Sequence, residues 1–359
     1  MSEACEERGL APDDPDLYAR LLTLPVDLRP TLFVVVDTEE EFDWAAPFSR
    51  TNTSVRSIRR LGRLQRLFER FGVVPTYAID YPVASQPDGY LPIKEFADAG
   101  ACAIAAHLHP WVNPPFAEEV TPRNSYGCNL PPVLERDKIQ RLLDEIEAHI
   151  GVRPKGYKAG RYGFGRSTVV ALPLLGIDVD LSISPHMDYG ADGGPSFVSF
   201  SVRPFFFGAD SRLLELPCTA GYAGVAGGVG PRLHDLASRS SLSRLHLVGL
   251  LARARVVNKV RLSPEGHPAH ELRQLTLVLA ASGVRTFSLT LHSSSLEPGH
   301  TPYARTMREV EELMTRIERY LDFFLGELDG VSSTPDDFRA WVELQRLVVG
   351  DSRMTGACS

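Results

Sequence analysis

Apolar and polar positions along this chain follow two rhythms that take turns. Residues 31–37 (TLFVVVD) form a near-continuous apolar, β-branched run, the pattern of a strand covered on both faces. Residues 56–71 then place Ile58, Leu61, Leu64, Leu67, Phe68 and Phe71 at helical spacing, and Gly72 ends the helix. The alternation continues with a strand over 73–79, a helix over 93–99 closed by Gly100, and a strand over 101–107. A helix over 134–150 stops at Gly151, a short strand starts at Tyr157, and a helix covers 168–175 before Gly176. Such β-α-β-α order predicts an α/β fold, a parallel sheet or barrel whose active site lies at the carboxyl ends of its strands. Residues 190–230, rich in Gly, Pro and Phe, read as strands and long loops that shape a cleft. Periodicity returns in a helix over 270–282, a strand over 285–291, a long helix over 302–328 and an amphipathic segment over 336–348. The organisation expected is an N-terminal extension (1–28), one barrel (29–330) and a C-terminal helix and tail (331–359).

Composition narrows the partners. The 359 residues are 43% hydrophobic and carry a formal net charge of -7, which describes a globular chain without the basic face that nucleic acid requires. Five scattered cysteines, Cys5, Cys102, Cys128, Cys218 and Cys358, form no CxxC pair, so neither a disulfide framework nor a thiolate zinc site is indicated. Residues 1–16 are acidic and polar, unlike a secretory leader, and no run approaches the roughly 18 apolar residues of a membrane span. The expectation is a cytoplasmic protein.

Candidate chemistry collects where predicted strands end. Residues 37–44 (DTEEEFDW) follow the first strand, and in extended geometry Asp37 and Glu39 point the same way. His107-Leu108-His109 ends another strand, and its i, i+2 spacing puts both imidazoles on one side. Two histidines and a carboxylate make a three-ligand catalytic metal set with one position left open. Either motif alone fits a solvated acidic loop or structural histidines; together, on one sheet, they point to one rim. Residues 158–163 (KAGRYG) offer Lys158 and Arg161, either of which could hold a carboxylate ionised or clamp an anionic transition state. In 176–184 (GIDVDLSIS), Asp178 and Asp180 sit where an aspartate could orient a histidine. His292 ends the last strongly apolar strand and suits a general acid for a departing amine.

The order DTE, HLH, KAGRYG, DLS, LTLHS resembles the ordered motifs of the polysaccharide deacetylase (NodB homology, carbohydrate esterase family 4) superfamily, most closely its WalW-like branch. Residues 124–131 (NSYGCNLP), 214–219 (LELPCT) and 291–303 (LHSSSLEPGHTPY) extend the resemblance, which covers roughly residues 32–328. It implies an irregular seven-stranded (β/α) barrel binding one divalent metal, usually zinc, and removing acetyl groups from an N-acetylated sugar. By resemblance, Asp37 matches the general base that activates the attacking water, Glu39 the first metal ligand and His107 the first histidine ligand. Arg161 or Lys158 would hold the base charged and oriented, and Asp180 would support His292, the general acid.

Two departures from the family pattern stand out. Its histidines are usually four apart, whereas position 111 is Trp111, so His109 is the second ligand by geometry; Lys158 stands where relatives often carry arginine. These departures raise the alternative of a catalytically diverged carbohydrate-binding protein on the same fold. Trp111, Trp44 and Tyr162 lie beside the expected site and could stack on a sugar ring, although core packing is the commoner use of such residues. A Ser-His-Asp esterase lacks its GxSxG elbow, and the Gly-rich run 221–230 lacks the strand-to-helix context of a nucleotide fingerprint. The sugar, and whether it is polymeric, lipid-linked or nucleotide-linked, stays open, as does the oligomeric state.

Overall fold

The computed structural model describes residues 19–208, 210–223 and 258–355. The chain opens with β1 (Arg20–Leu21), β2 (Thr31–Thr38), α1 (Leu61–Arg70), β3 (Thr76–Ile79), α2 (Tyr81–Ser85), α3 (Pro87–Asp98) and β4 (Ala103–Leu108). It continues through α4 (Pro132–Ile150), β5 (Gly156–Ala159), α5 (Arg166–Leu174), β6 (Val179–Asp180), β7 (Phe205–Phe207), β8 (Leu213–Glu215) and β9 (Ala220–Ala223). After residue 257 come β10 (Asn258–Arg261), α6 (Ala269–Ala281), β11 (Thr286–His292), α7 (Met307–Leu321), β12 (Val331–Ser332) and α8 (Pro335–Thr355). The N-terminal extension to residue 18, the Gly-rich run beyond Ala223, Cys5 and Cys358 lie outside the described residues.

One mostly parallel sheet runs β1-β7-β8-β6-β5-β4-β3-β2-β11, with β12 also on β2, and β9 and β10 form a separate antiparallel pair. The expected seven-stranded barrel is therefore met only in part: the sheet is large, mainly parallel and helix-covered, but hydrogen bonds do not close it among the described residues. The β9–β10 pair is tied to β11 through Leu262, whose carbonyl accepts the Thr290 amide at 3.1 Å, and Thr219, whose hydroxyl accepts the Ser288 amide at 2.8 Å.

Strand parity divides the interior. Leu32, Val34, Val36, Tyr77, Ile104, Ala106 and Tyr157 face the helices, where α1, α4, α6 and α7 supply leucines and isoleucines. The alternate residues, Phe33, Val35, Ala78, Ala105, Val179, Leu181, Leu214 and Leu216, face the opposite side and pack with Phe338 and Val342 of α8. Phe33 and Phe338 meet edge to face at 5.2 Å, so the C-terminal helix fills this side of the sheet. Every residue of β2 is buried, which accounts for its unbroken apolar run.

Most predicted elements lie within a few residues of their positions, and the exceptions have local causes. The helix expected from residue 302 begins at Met307, because Thr306 and Glu309 form a reciprocal capping box there. Its α-geometry ends at Leu321 and gives way to wider π-type turns over Asp322–Glu327. The segment 56–71 divides into a tight 3₁₀ turn, Arg56–Arg60, followed by α1. Gly151 ends α4 in the left-handed region at φ 86°, the conformation that selects glycine after a helix. No helix among the described residues is long and apolar enough to cross a membrane.

Candidate active site

The parity that sorts the core also assembles the site. Asp37 and Glu39 continue the Phe33–Val35 face of β2, and His107 and His109 continue the Ala105 face of β4. His292 is in register with Asp37 on β11, and Lys158 is in register with His107 on β5. Six predicted residues from the ends of four strands therefore meet at the carboxyl ends of a parallel sheet, where such sites form.

Asp37 and Lys158 are both buried, and Lys158 Nζ lies 2.5 Å from each carboxylate oxygen. Burial alone would raise the Asp37 pKa; the ammonium, assisted by His107 and His292, holds it below the ordinary carboxylate value. Burial likewise opposes charge on Lys158, and Asp37 more than offsets it. Arg161 takes no part in this pair. It binds Ser125 Oγ at 2.5 Å and Asp192 at 2.9 Å and lies over the Tyr126 ring, fastening neighbouring loops instead.

Glu39, His107 and His109 each present one donor atom to a common point, all within 4.8 Å of one another. Glu39 Oε2 stands 3.5 Å from His107 Nε2 and 3.4 Å from His109 Nε2. Donors bound tetrahedrally at about 2.1 Å from one ion stand roughly 3.4 Å apart, so the spacing fits a metal. Three further features agree. His107 Nδ1 faces the Lys158 carbonyl at 2.9 Å and His109 Nδ1 faces Glu40 Oε2 at 2.7 Å, an arrangement that leaves each Nε2 lone pair for an ion. Burial holds His109 below its ordinary pKa, hence neutral, despite nearby carboxylates. Glu39 Oε1 is buried with no hydrogen-bond partner among the described residues.

The backing of the second histidine was not legible in the sequence. Glu40 accepts His109 with one oxygen and the Trp111 indole with the other, at 2.7 and 2.8 Å. Asp80, which caps α2 by accepting the Val83 amide, also accepts the Glu40 amide at 2.7 Å. Glu40, Asp80 and His109 form a second close acidic cluster, but these groups face one another's donors. Gly160 completes the fit: a Cβ there would stand 2.3 Å from His109 Cδ2 and 2.4 Å from the Leu108 carbonyl. Glycine at this position of KAGRYG is what lets the turn pass beneath the histidine.

Two expectations are corrected. Asp180 does not support His292. It is in register with Tyr157 and Glu215 on the helix-covered face, bonded to Ser182, one residue out of phase with the site. Glu265 holds the supporting position: its Oε2 meets His292 Nδ1 at 2.7 Å and its Oε1 accepts the His292 amide at 3.1 Å. Glu265 lies in a Ser-Pro-Glu-Gly turn just past β10, a strand whose weak pattern hid it. The second correction is Trp111, only 1% exposed and stacked on His109 at 4.4 Å, which leaves no face for a sugar.

Burial pushes the His292 imidazole down, but Glu265, with Glu39 and Asp37, carries it up to about 9. Its Nε2 lies 3.7 Å from Asp37 Oδ2, so a protonated imidazole and an ionised carboxylate face each other beside the Glu39–His107–His109 cluster. Trp44 is 37% exposed and meets His292 and Tyr303 edge to face at 5.0 and 5.6 Å. Tyr162 stacks on Tyr189 at 5.1 Å and bonds Arg261 through its hydroxyl. Both rings line the rim.

No family model matches the chain, and no curated protein matches it. Among solved structures, a candidate polysaccharide deacetylase from Mycobacterium smegmatis aligns over 91% of this chain and 94% of its own, at 17% identity and TM-score 0.53. A 4-alpha-glucanotransferase from Thermococcus litoralis aligns over 87% of this chain and 40% of its own, at 12% identity and TM-score 0.49. A peptidoglycan deacetylase from Bacillus subtilis aligns over 92% and 99%, at 9% identity and TM-score 0.41. The first of these likenesses establishes a shared fold; the reaction has to be argued from the site.

Proposed function

We propose that this chain, which has the polysaccharide deacetylase fold, is a metal-dependent hydrolase that removes N-acetyl groups from an amino-sugar-containing saccharide. The reading places it in the WalW-like branch that its motif order resembles. One observation carries it: an Asp37–Lys158 pair and a His292–Glu265 pair face each other beside the Glu39–His107–His109 ligand cluster, on one rim.

A divalent cation on those three ligands, zinc in this proposal, would supply Lewis-acid polarisation of the acetyl carbonyl. The remaining roles fall to the protein. Asp37, kept ionised by Lys158, takes a proton from the attacking water as its oxygen bonds to the carbonyl carbon. His292, kept charged by Glu265, gives its Nε2 proton to the amide nitrogen as the C–N bond breaks. Acetate and a free amine leave, and the proton on Asp37 returns to solvent or to His292. Trp44 and Tyr162 offer ring surface to the sugar at the rim.

Acetate release from a panel of N-acetylated saccharides by metal-loaded protein tests the proposal, with Asp37→Ala and His292→Ala as controls. Turnover that falls by about a hundred-fold or more in both variants supports it. Undiminished turnover in Asp37→Ala would overturn the mechanism.

A further inference from the structure

Arg261 ends β10, four residues before Glu265, and stands between two rings of the rim. Its guanidinium donates to Tyr162 Oη at 3.2 Å, with Cζ 5.9 Å from the Tyr162 ring centroid; Lys158 Nζ lies 5.7 Å from that same centroid. Tyr303 is also within reach of the guanidinium, and the Tyr303 ring contacts Trp44, which contacts His292. Tyr162 and Lys158 thus link Arg261 to Asp37, and Tyr303 and Trp44 link it to His292.

No anion pairs with it among the described residues, in contrast to several surface arginines. Arg60, Arg63, Arg70, Arg153 and Arg273 each pair with a carboxylate at the surface. Arg261 is half-buried, yet no carboxylate among the described residues lies within ion-pair distance of it. Its neighbours are the phenols of Tyr162, Tyr189 and Tyr303 and the thiol of Cys218, all held neutral near neutral pH by burial. A partly desolvated guanidinium with unused donors is costly unless an anion is supplied from outside.

We propose that Arg261 recognises an anionic group on the saccharide, a carboxylate or a phosphate, presented beside the acetamide undergoing hydrolysis. The planar fork suits either anion, since one N–H goes to Tyr162 and the remainder can bind two oxygens in parallel. The substrate class is then an acidic amino-sugar saccharide: a uronate-containing chain or a sugar phosphate. This inference rests on the deacetylase reading for the saccharide and its acetamide, and on the geometry around Arg261 for the anion.

The test is calorimetric titration of metal-loaded wild type, Arg261→Gln and Arg261→Lys with three probes. These are di-N-acetylchitobiose (neutral), UDP-N-acetylglucosamine (phosphate) and a hyaluronan tetrasaccharide (carboxylate), with acetate followed in the same samples. Wild type is expected to bind one anionic probe at least about ten-fold more tightly than the neutral one. Arg261→Gln should lower that ratio about ten-fold, and Arg261→Lys, which keeps the charge but loses the fork, should lower it less. Which anionic probe wins identifies the group. An Arg261→Gln ratio equal to wild type, or no anionic preference in wild type, overturns the proposal. If Arg261→Gln does not fold, an unchanged ratio in Arg261→Lys overturns it. Anion preference without acetate release would count against the deacetylase reading alone, and acetate release without anion preference against Arg261 alone.

Discussion

Lys158 Nζ sits 2.5 Å from both oxygens of Asp37, the two residues coming from β5 and β2 with β4 and β3 between them, and only 1% and 4% exposed. The cation is what allows an aspartate to remain a base in a site dry enough to protonate it. Removing it leaves one buried charge without a partner, a change that typically costs about 3–5 kcal/mol. Lys158→Met should therefore lower the denaturation midpoint, and Asp37→Asn in the same chain should recover much of the loss. The pair stabilises above the unfolded Asp value near 3.8, and that contribution fades as pH falls through the lower folded value. Chemical denaturation of the single and double variants across acid pH checks both statements.

Glu265 governs the other half of the proposed chemistry. His292 is charged up to about 9, so activity that needs its proton should fall as pH rises through that value. Glu265→Gln removes the main source of that elevation, and the alkaline limb should move to lower pH by about a unit or more. A pH–rate profile reads this shift. A loss of rate with the limb in place would assign Glu265 a purely structural role.

In the proposed site Glu40 would orient His109 rather than bind the ion itself. Glu40→Gln preserves shape but weakens the acceptor for Nδ1, and loss of such support commonly costs about 10–100-fold in metal affinity. Competition with a chromophoric chelator measures this directly and independently of turnover. Trp111→Phe, which removes only the indole donor to the other oxygen, should cost less.

Away from the rim, Glu135 offers a stability prediction. It is fully buried, accepts the Thr168 hydroxyl at 2.5 Å, leaves Oε2 without a partner, and is pushed by burial from 4.5 to about 7. A raised carboxyl favours the folded state while protonated, so its contribution is full below the unfolded value and lost as pH rises through about 7. Glu135→Gln should flatten the decline in thermal midpoint between about pH 4.5 and about 7, while a parallel decline in the variant would show that another group is responsible.

How much of this was legible in the sequence follows from period and distance. Asp37 with Glu39, and His107 with His109, are each two apart on strands, so common facing followed from local geometry alone. Asp180 was misplaced by the same rule: its phase is set by Leu181 and Val179 facing α8, which sequence order does not disclose. Glu40 and Glu265 gained their roles from partners 69 and 27 residues away, and nothing in EEEFDW or SPEG distinguishes them from solvated acids. Lys158 and Arg161 were interchangeable as cations until β5 put the first in register with His107 and the turn sent the second to Asp192.

The chemistry proposed for the rim requires an ion on Glu39, His107 and His109. A crystal structure of zinc-loaded protein, with anomalous difference density recorded at the zinc edge, is the most direct measurement. One peak bonded to Glu39 Oε2, His107 Nε2 and His109 Nε2, beside Asp37, is the result predicted. A peak held instead by Glu40 and Asp80, or no peak at the rim, would contradict it.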